Sequence, residues 1–195
     1  MQLAMIADGT ILAVDNCQSY LDELNRRAKT MAVSEKMRTC LGDMHNLKLD
    51  EGTFDLIWSE GALYIMGFRN GLESCFRLLA PGGAIAVTEL CWFRPDAPDE
   101  CQRFFESEYP VMVDVDTNLA TIAACGYELL GHFTLPETSW WEQYYIPLEG
   151  RLSDFRGLCA ADPEKLEIIE WVQSEIDLYR KYSSYYGYVF FIMQR

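Results

Sequence analysis

Several acids in this sequence stand where short apolar runs stop. Asp15 follows Thr10–Val14, Asp43 follows Met37–Leu41 and Gly42, Glu60 follows Phe54–Trp58 and Ser59, and Glu89 falls at the end of Ile85–Leu90. Runs of this length bounded by turn residues read as buried strands. In open sheets of parallel strands, ligands bind outside the carboxyl ends. That rule places Ser59, Glu60, Gly61 and Glu89 at a site before any further information is used. An Asp at the position of Asp15 can accept both hydroxyls of a nucleoside ribose, or cap the next helix through its backbone amides. Asp43 can bind an adenine amino group with Met44 packed on the ring, although a Gly-Asp turn is also commonplace. Glu60 and Glu89 can each orient an acceptor or cap a helix. His45 can serve as a proton acceptor; a solvated loop histidine is the simpler reading, and His132, within a strand, reads as structural.

The elements that must position these residues alternate. Met1–Ala7 reads as the end of a helix stopped by Asp8-Gly9. A strand then occupies 10–14, a helix 18–31 with Leu21, Leu24, Ala28 and Met31 on one face, and a strand 37–41. A strand over 54–58 covered on both faces, a helix over 63–79 stopped by Pro81-Gly82-Gly83, and a strand over 85–90 follow. Short connections between such elements imply parallel strands and crossover helices. The expected fold is therefore α/β: a doubly wound, mostly parallel sheet with helices on both faces. Beyond Glu89 comes a turn-rich linker, Arg94–Pro98, then a helix to about Tyr109. A short helix ending at Cys125 is capped by Asp116, and a strand spans 128–135. Ser139 and Glu142 suggest a capping box for an aromatic helix, with Trp140 paired to Tyr144 and Trp141 to Tyr145 one turn apart. Asp162-Pro163 opens a last helix to about Tyr182, and Tyr185–Gln194 closes as an antiparallel strand at the sheet edge. The aromatic helix and the 92–109 segment are expected to cover the carboxyl ends of the Thr53 and Ile85 strands, with a homodimer interface as the other use of that aromatic surface. The whole is read as one domain, 1–195, with halves 1–90 and 91–195.

Composition narrows the partners. The 195 residues carry a formal net charge of -14 and are 50% hydrophobic. Nucleic-acid affinity comes largely from Lys and Arg neutralising phosphates, so this balance argues against nucleic acid, and equally against an anionic membrane surface. Arg26-Arg27-Ala28-Lys29 is the one dense basic stretch and reads as a solvated helix face. The seven cysteines form no Cys-x-x-Cys pair. They read as reduced thiols in a cytoplasmic protein, without a zinc or other metal site. No transmembrane-length run or secretory signal is visible.

Taken in order, Ile-Leu-Ala-Val-Asp15, Leu-Gly-Asp43-Met, Phe-Asp-Leu-Ile-Trp-Ser-Glu-Gly-Ala and Leu-Leu-Ala-Pro-Gly-Gly resemble the class I S-adenosylmethionine-dependent methyltransferases. The likeness is strongest to the small-molecule branch of ubiquinone and menaquinone methyltransferases, and it covers the first half of the chain. The resemblance implies a Rossmann-like fold, with Asp15 and Asn16 at the ribose and Gly42, Asp43 and Met44 at the adenine. Ser59, Glu60 and Gly61 line the methyl-donor pocket on the same grounds. The second half corresponds to the variable acceptor region, where Glu89, Trp92, Trp140, Trp141, Tyr144 and Tyr145 are the substrate-side candidates. The cofactor implied is S-adenosyl-L-methionine and the acceptor a small organic molecule. Such a donor is already activated, so the protein mainly supplies proximity, alignment and water exclusion, and no catalytic residue is named.

One departure stands out. The family's Gly-rich first-strand signature and the strand between those of Asp15 and Thr53 are absent, as expected of an N-terminally truncated sequence, a misplaced start or a degenerate paralogue. Weak donor binding by the chain as written is the corresponding expectation, because that turn brings backbone amides to the ligand. Two other readings compete: a binding protein that kept the fold without catalysis, and a nicotinamide-dependent oxidoreductase. Leu78–Gly83 before the Ile85 strand speaks against the latter.

Overall fold

The structure is a computed structural model and describes Gln2–Arg195; Met1, counted above with the first helix, lies outside the described residues. The chain forms two compact units, Met1–Asp50 and Glu51–Arg195.

The first unit opens with α1 (Gln2–Ile6) and holds two parallel strands, β1 (Ile11–Asp15) and β2 (Met37–Leu41), joined through α2 (Gln18–Thr30). Leu21 and Ala28 are the buried residues of α2. Met31, expected on that face, lies past the helix end and is exposed, because the chain turns there. Val33 N–H donates to Ala28 O and Ala32 N–H to Lys29 O, a Schellman closure in which Ala32 takes the left-handed φ of 54° usually left to glycine. Arg26 and Arg27 are exposed and both bind Glu23, as a solvated helix face should.

The second unit is built on a sheet in the order β3-β4-β7-β6. β3 (Phe54–Ser59) pairs parallel with β4 (Leu79–Trp92), and β5 (Val113–Asp114) pairs parallel with the end of β4. β7 (Tyr186–Gln194) runs antiparallel to β4 and to β6 (Glu128–Thr134). The antiparallel C-terminal strand is as expected, but it is interior, not at the edge. With partners on both sides, it uses its Tyr, Phe, Val and Ile side chains on two packed faces, and β6 takes the edge.

The helix expected over 63–79 is broken. A 3-10 turn (Leu63–Met66) ends at Gly67, whose φ of 77° leaves helical space, and α3 (Phe68–Leu78) starts anew. Pro81-Gly82-Gly83 lies within β4, not before it. Register against β3 jumps from Phe54↔Leu79 to Leu56↔Ala84, so the intervening residues bulge. Gly82 has a φ of 78°, and a Cβ on Gly83 would sit 2.8 Å from Phe54 O, so the two glycines make this bulge possible. β3 is also not covered on both faces: Ile57 packs on the core, whereas Leu56 and Trp58 are exposed.

Further helices are α4 (Asp99–Glu108), α5 (Val115–Ala124), a short α6 (Glu137–Trp140), α7 (Ile146–Leu158) and α8 (Pro163–Tyr182). Asp114, not Asp116, caps α5 by accepting Thr117 N–H at 2.7 Å, because β5 ends there and the helix begins at Val115. Asp162 caps α8 through Lys165 N–H as the sequence suggests. The Ser139–Glu142 capping box does not form. Pro136 stands at the N-cap, so Ser139 is already inside the turn. A π-helical turn then follows over Trp141–Tyr145. It brings Trp140 onto Tyr145, five residues on, with ring centroids 5.6 Å apart.

Two buried clusters occupy this unit. One is mainly aliphatic, with Leu72, Leu79, Ile85, Val87, Phe191 and Met193 at its centre. The other is mainly aromatic and includes Phe105, Trp140, Tyr145, Tyr179 and Tyr186. Among the described residues no helix is long and apolar enough to cross a membrane. All seven cysteines are unpaired, with Cys75, Cys91 and Cys101 buried.

Candidate functional site

In the first unit, the parallel pairing sets Asp15 opposite Leu41, and Gly42 N–H donates to Asp15 O at 3.0 Å. Asp15, Asn16, Gly42, Asp43 and Met44 therefore gather at the carboxyl ends of two adjacent strands. The Asp15 carboxylate is half-buried and accepts Cys17 N–H at 2.8 Å. It does not cap α2, whose N-cap is Cys17 without a side-chain bond. Asn16 is exposed. Asp43 is exposed, and its Oδ1 accepts His45 N–H and meets His45 Nδ1, each at 2.9 Å. These contacts with the His45 backbone and ring hold its carboxyl below the ordinary value. Met44 is half-buried. His45 thus steadies Asp43, a use for a loop histidine that spacing alone did not indicate.

In the second unit, Ser59 ends β3 and is half-buried, whereas Glu60 and Gly61 are exposed. Trp58 donates its indole N–H to Glu60. Gly61 has a φ of 58°, and its N–H donates to Thr88 Oγ1 at 2.8 Å, which ties the turn after β3 to β4. Glu89 is 2% exposed. Its Oε1 accepts a short hydrogen bond from the Tyr109 hydroxyl, and its Oε2 has no partner among the described residues. Burial pushes this carboxyl up to about 7, with the Tyr109 bond acting the other way.

The aromatic elements meet β4 near its carboxyl end. A cavity of about 200 Å³ is walled by Tyr64, Phe105, Tyr109, Trp140, Tyr186 and Tyr188 among others, and it reaches Leu90. Of the sequence candidates, Trp140 and Tyr145 line it, and Glu89 is bound through the lining residue Tyr109. Trp92 stands beside it, edge-on to Phe105 and Tyr186. Trp141 and Tyr144 are not in its wall: Trp141 lies under the Arg180 guanidinium at 5.1 Å, and Tyr144 is 51% exposed. The π-helical turn explains the split, since it aligns Trp140 with Tyr145 rather than with Tyr144. Turns of this kind are often found at functional sites. Tyr145 donates to Glu175 Oε1 at 2.8 Å. Sequence reasoning missed Glu175, Tyr186 and Tyr188. The alternation of aromatic residues along 185–191 was legible, but only as a strand.

The two sheets, parallel in the first unit and mixed in the second with an antiparallel C-terminal strand, are those of a Rossmann-like α/β protein. Residues 1–83 match the family model described as a methyltransferase domain. A sterol 24-C-methyltransferase of Kluyveromyces lactis is 27% identical over 150 residues, which is 72% of this chain and 40% of that protein. The chain spans about two fifths of the length of the curated relatives it matches. Among solved structures, an S-adenosylmethionine-dependent methyltransferase from Thiobacillus denitrificans, in complex with S-adenosyl-L-homocysteine, superposes with a TM-score of 0.83 at 19% identity, covering 100% of this chain and 79% of that one. A geranyl diphosphate C-methyltransferase from Streptomyces coelicolor does so with a TM-score of 0.67 at 18% identity, covering 100% and 66%. At such identities these structures show the fold. Residues 1–83 thus match a methyltransferase domain, and the chain shares the fold of solved S-adenosylmethionine-dependent methyltransferases.

Proposed function

We propose that this chain takes part in methyl transfer from S-adenosyl-L-methionine to a small organic acceptor. The observation that carries this reading is the convergence of Asp15, Gly42 and Asp43 at one end of the parallel β1–β2 pair, within the stretch that matches the methyltransferase domain. The residues fit the donor's nucleoside. Asp15 offers a half-buried carboxylate already oriented by Cys17 N–H, with Asn16 beside it, for the ribose hydroxyls. Asp43, fixed by His45, and the half-buried Met44 suit an adenine amino group and ring face. Ser59, Glu60 and Gly61 are assigned to the donor by family resemblance. The donor supplies an activated sulfonium methyl, so this chain's own contribution is binding, orientation and exclusion of water.

The acceptor side is assigned to the cavity near the carboxyl end of β4. Trp140 and Tyr145 form part of its wall, Trp92 packs behind it, and Glu89 fixes Tyr109 through a buried hydrogen bond. Trp141 and Tyr144 are withdrawn from the acceptor wall and assigned to packing and surface. The acidic charge of the chain supports a small molecule over nucleic acid. Its unpaired thiols are consistent with a cytoplasmic setting.

Isothermal titration tests the reading. S-adenosylmethionine should bind saturably, and Asp15→Ala should weaken binding by about tenfold or more, as loss of a charge-assisted hydrogen bond does. Equal affinity in wild type, Asp15→Ala and Asp43→Ala would count against the nucleoside assignment.

A further inference from the structure

The cavity at the end of β4 has a chemical bias that its position does not require. The charged residues in its lining are Glu108 and Glu175; no Lys, Arg or His contributes to it. Burial and the nearby Glu108 charge push the Glu175 carboxyl up, while the Tyr145 hydroxyl bond pulls it down. The cavity is thus an acidic site with no basic residue in its wall. Most of the remaining wall is aromatic, and the negative faces of Trp and Tyr rings attract cations. Two lining residues carry buried polar atoms without a hydrogen-bond partner among the described residues: the Tyr186 hydroxyl, in a residue 2% exposed, and the Trp140 indole N–H, in one 8% exposed. Buried polar groups are rarely left unpaired, and exceptions mark a function or an unseen partner. At about 200 Å³ the space is below the usual range for drug-sized ligands, so it suits a compact group.

We propose that this cavity binds a small organic cation of the alkylammonium class. The aromatic wall and the Glu108–Glu175 pair hold the charge. A diphosphate or carboxylate ligand would face two glutamates with no basic residue in the lining. As an assignment of the methyl acceptor, this rests on the methyl-transfer reading; as a binding site it does not. An ammonium acceptor would first give one N–H proton to a carboxylate or to water. Its nitrogen lone pair then forms the N–C bond as the C–S bond breaks, with that bonding pair staying on sulfur.

Choline and its uncharged carbon isostere, 3,3-dimethyl-1-butanol, separate charge from shape. Titrated into the full chain and followed by tryptophan fluorescence, choline should bind at least about tenfold more tightly than the alcohol. Glu175→Gln, which keeps an oxygen for the Tyr145 hydroxyl, should cost choline about tenfold and leave the alcohol unchanged. Glu108→Gln, at an exposed position of the lining, should cost choline about threefold. Equal binding of the two probes, tighter binding of the alcohol, or binding of neither overturns the cation site. Donor titration on the same samples keeps the two claims apart. Donor binding without choline preference leaves methyl transfer standing and removes the cation site; choline preference without donor binding does the reverse.

Discussion

The two buried clusters of the second unit have been put to different uses. In the aliphatic cluster the one tyrosine, Tyr127, donates its hydroxyl to Leu72 O at 2.9 Å, and Leu72, Ile85 and Phe191 are fully buried. The aromatic cluster contains Trp140 and Tyr186, two buried residues with unpartnered polar atoms. Tyr109, packed against it, holds Glu89, which has the third. Leaving such atoms unpaired costs about 1–3 kcal/mol each. A cluster selected for stability alone would have replaced them with Phe, Leu or Gln. The contrast teaches that the aliphatic side holds the sheet together, while the aromatic side gives up stability around a cavity.

Substitutions in the two clusters test this difference. The largest effect belongs to the aliphatic side: Phe191→Ala should destabilise by about 3–5 kcal/mol in urea melts, through lost burial and the cavity left behind. On the aromatic side, Tyr186→Phe removes an unpartnered buried hydroxyl and should leave stability unchanged or raise it, by up to about 1–3 kcal/mol. If Tyr186→Phe costs as much as Phe191→Ala, the two clusters do not differ as described.

Glu89 gives an effect of about 3 kcal/mol that depends on pH. Its carboxyl is raised from the ordinary 4.5 to about 7 in the folded protein. The folded state therefore keeps a proton that the unfolded chain releases near 4.5. This contribution is complete below about pH 4.5 and is lost as the pH rises through about 7. Denaturation of wild type and Glu89→Gln at pH 4.5 and pH 8 should show their stability gap move by that amount, in favour of Glu89→Gln at the higher pH. A gap independent of pH would mean that Glu89 is ionised in the folded protein.

The smallest effect lies in the first unit. Ala32 closes α2 at a φ of 54°. Ala32→Gly should stabilise that unit by roughly 1 kcal/mol, since glycine adopts this backbone without a Cβ clash. Hydrogen exchange of the α2 amides is the measurement, and slower exchange in Ala32→Gly is the expected result.

Much of this was legible in the sequence, for local reasons. Apolar runs ending at Asp15, Gly42 and Ser59 gave the strands within a residue or two, because burial and turn chemistry act over short spans. The acids at those strand ends followed from the same rule. What escaped depended on distant partners or on backbone choices with no strong local signal. The π-helical turn at Trp141–Tyr145 replaces a helical spacing of four with one of five, so Trp140 meets Tyr145 instead of the Tyr144 that helical spacing predicts. Gly67 broke a helix whose apolar spacing looked continuous. The extra length of β4 came from a bulge that Gly82 and Gly83 permit. The interior position of β7, and with it the place of Tyr186 and Tyr188 in the cavity wall, was decided by which strands it meets, and no short window contains that information.

The proposed methyl transfer can be followed with a label. The chain would be incubated with S-adenosylmethionine carrying an isotopically marked methyl group and with a panel of small amines, alcohols and alkenes, and the products read by mass spectrometry. A marked methyl on a small acceptor, with amines favoured, and a strong loss of product with Asp15→Ala are expected. Saturable donor binding with no label in any acceptor, or labelling that is unaffected by Asp15→Ala, would contradict the proposal.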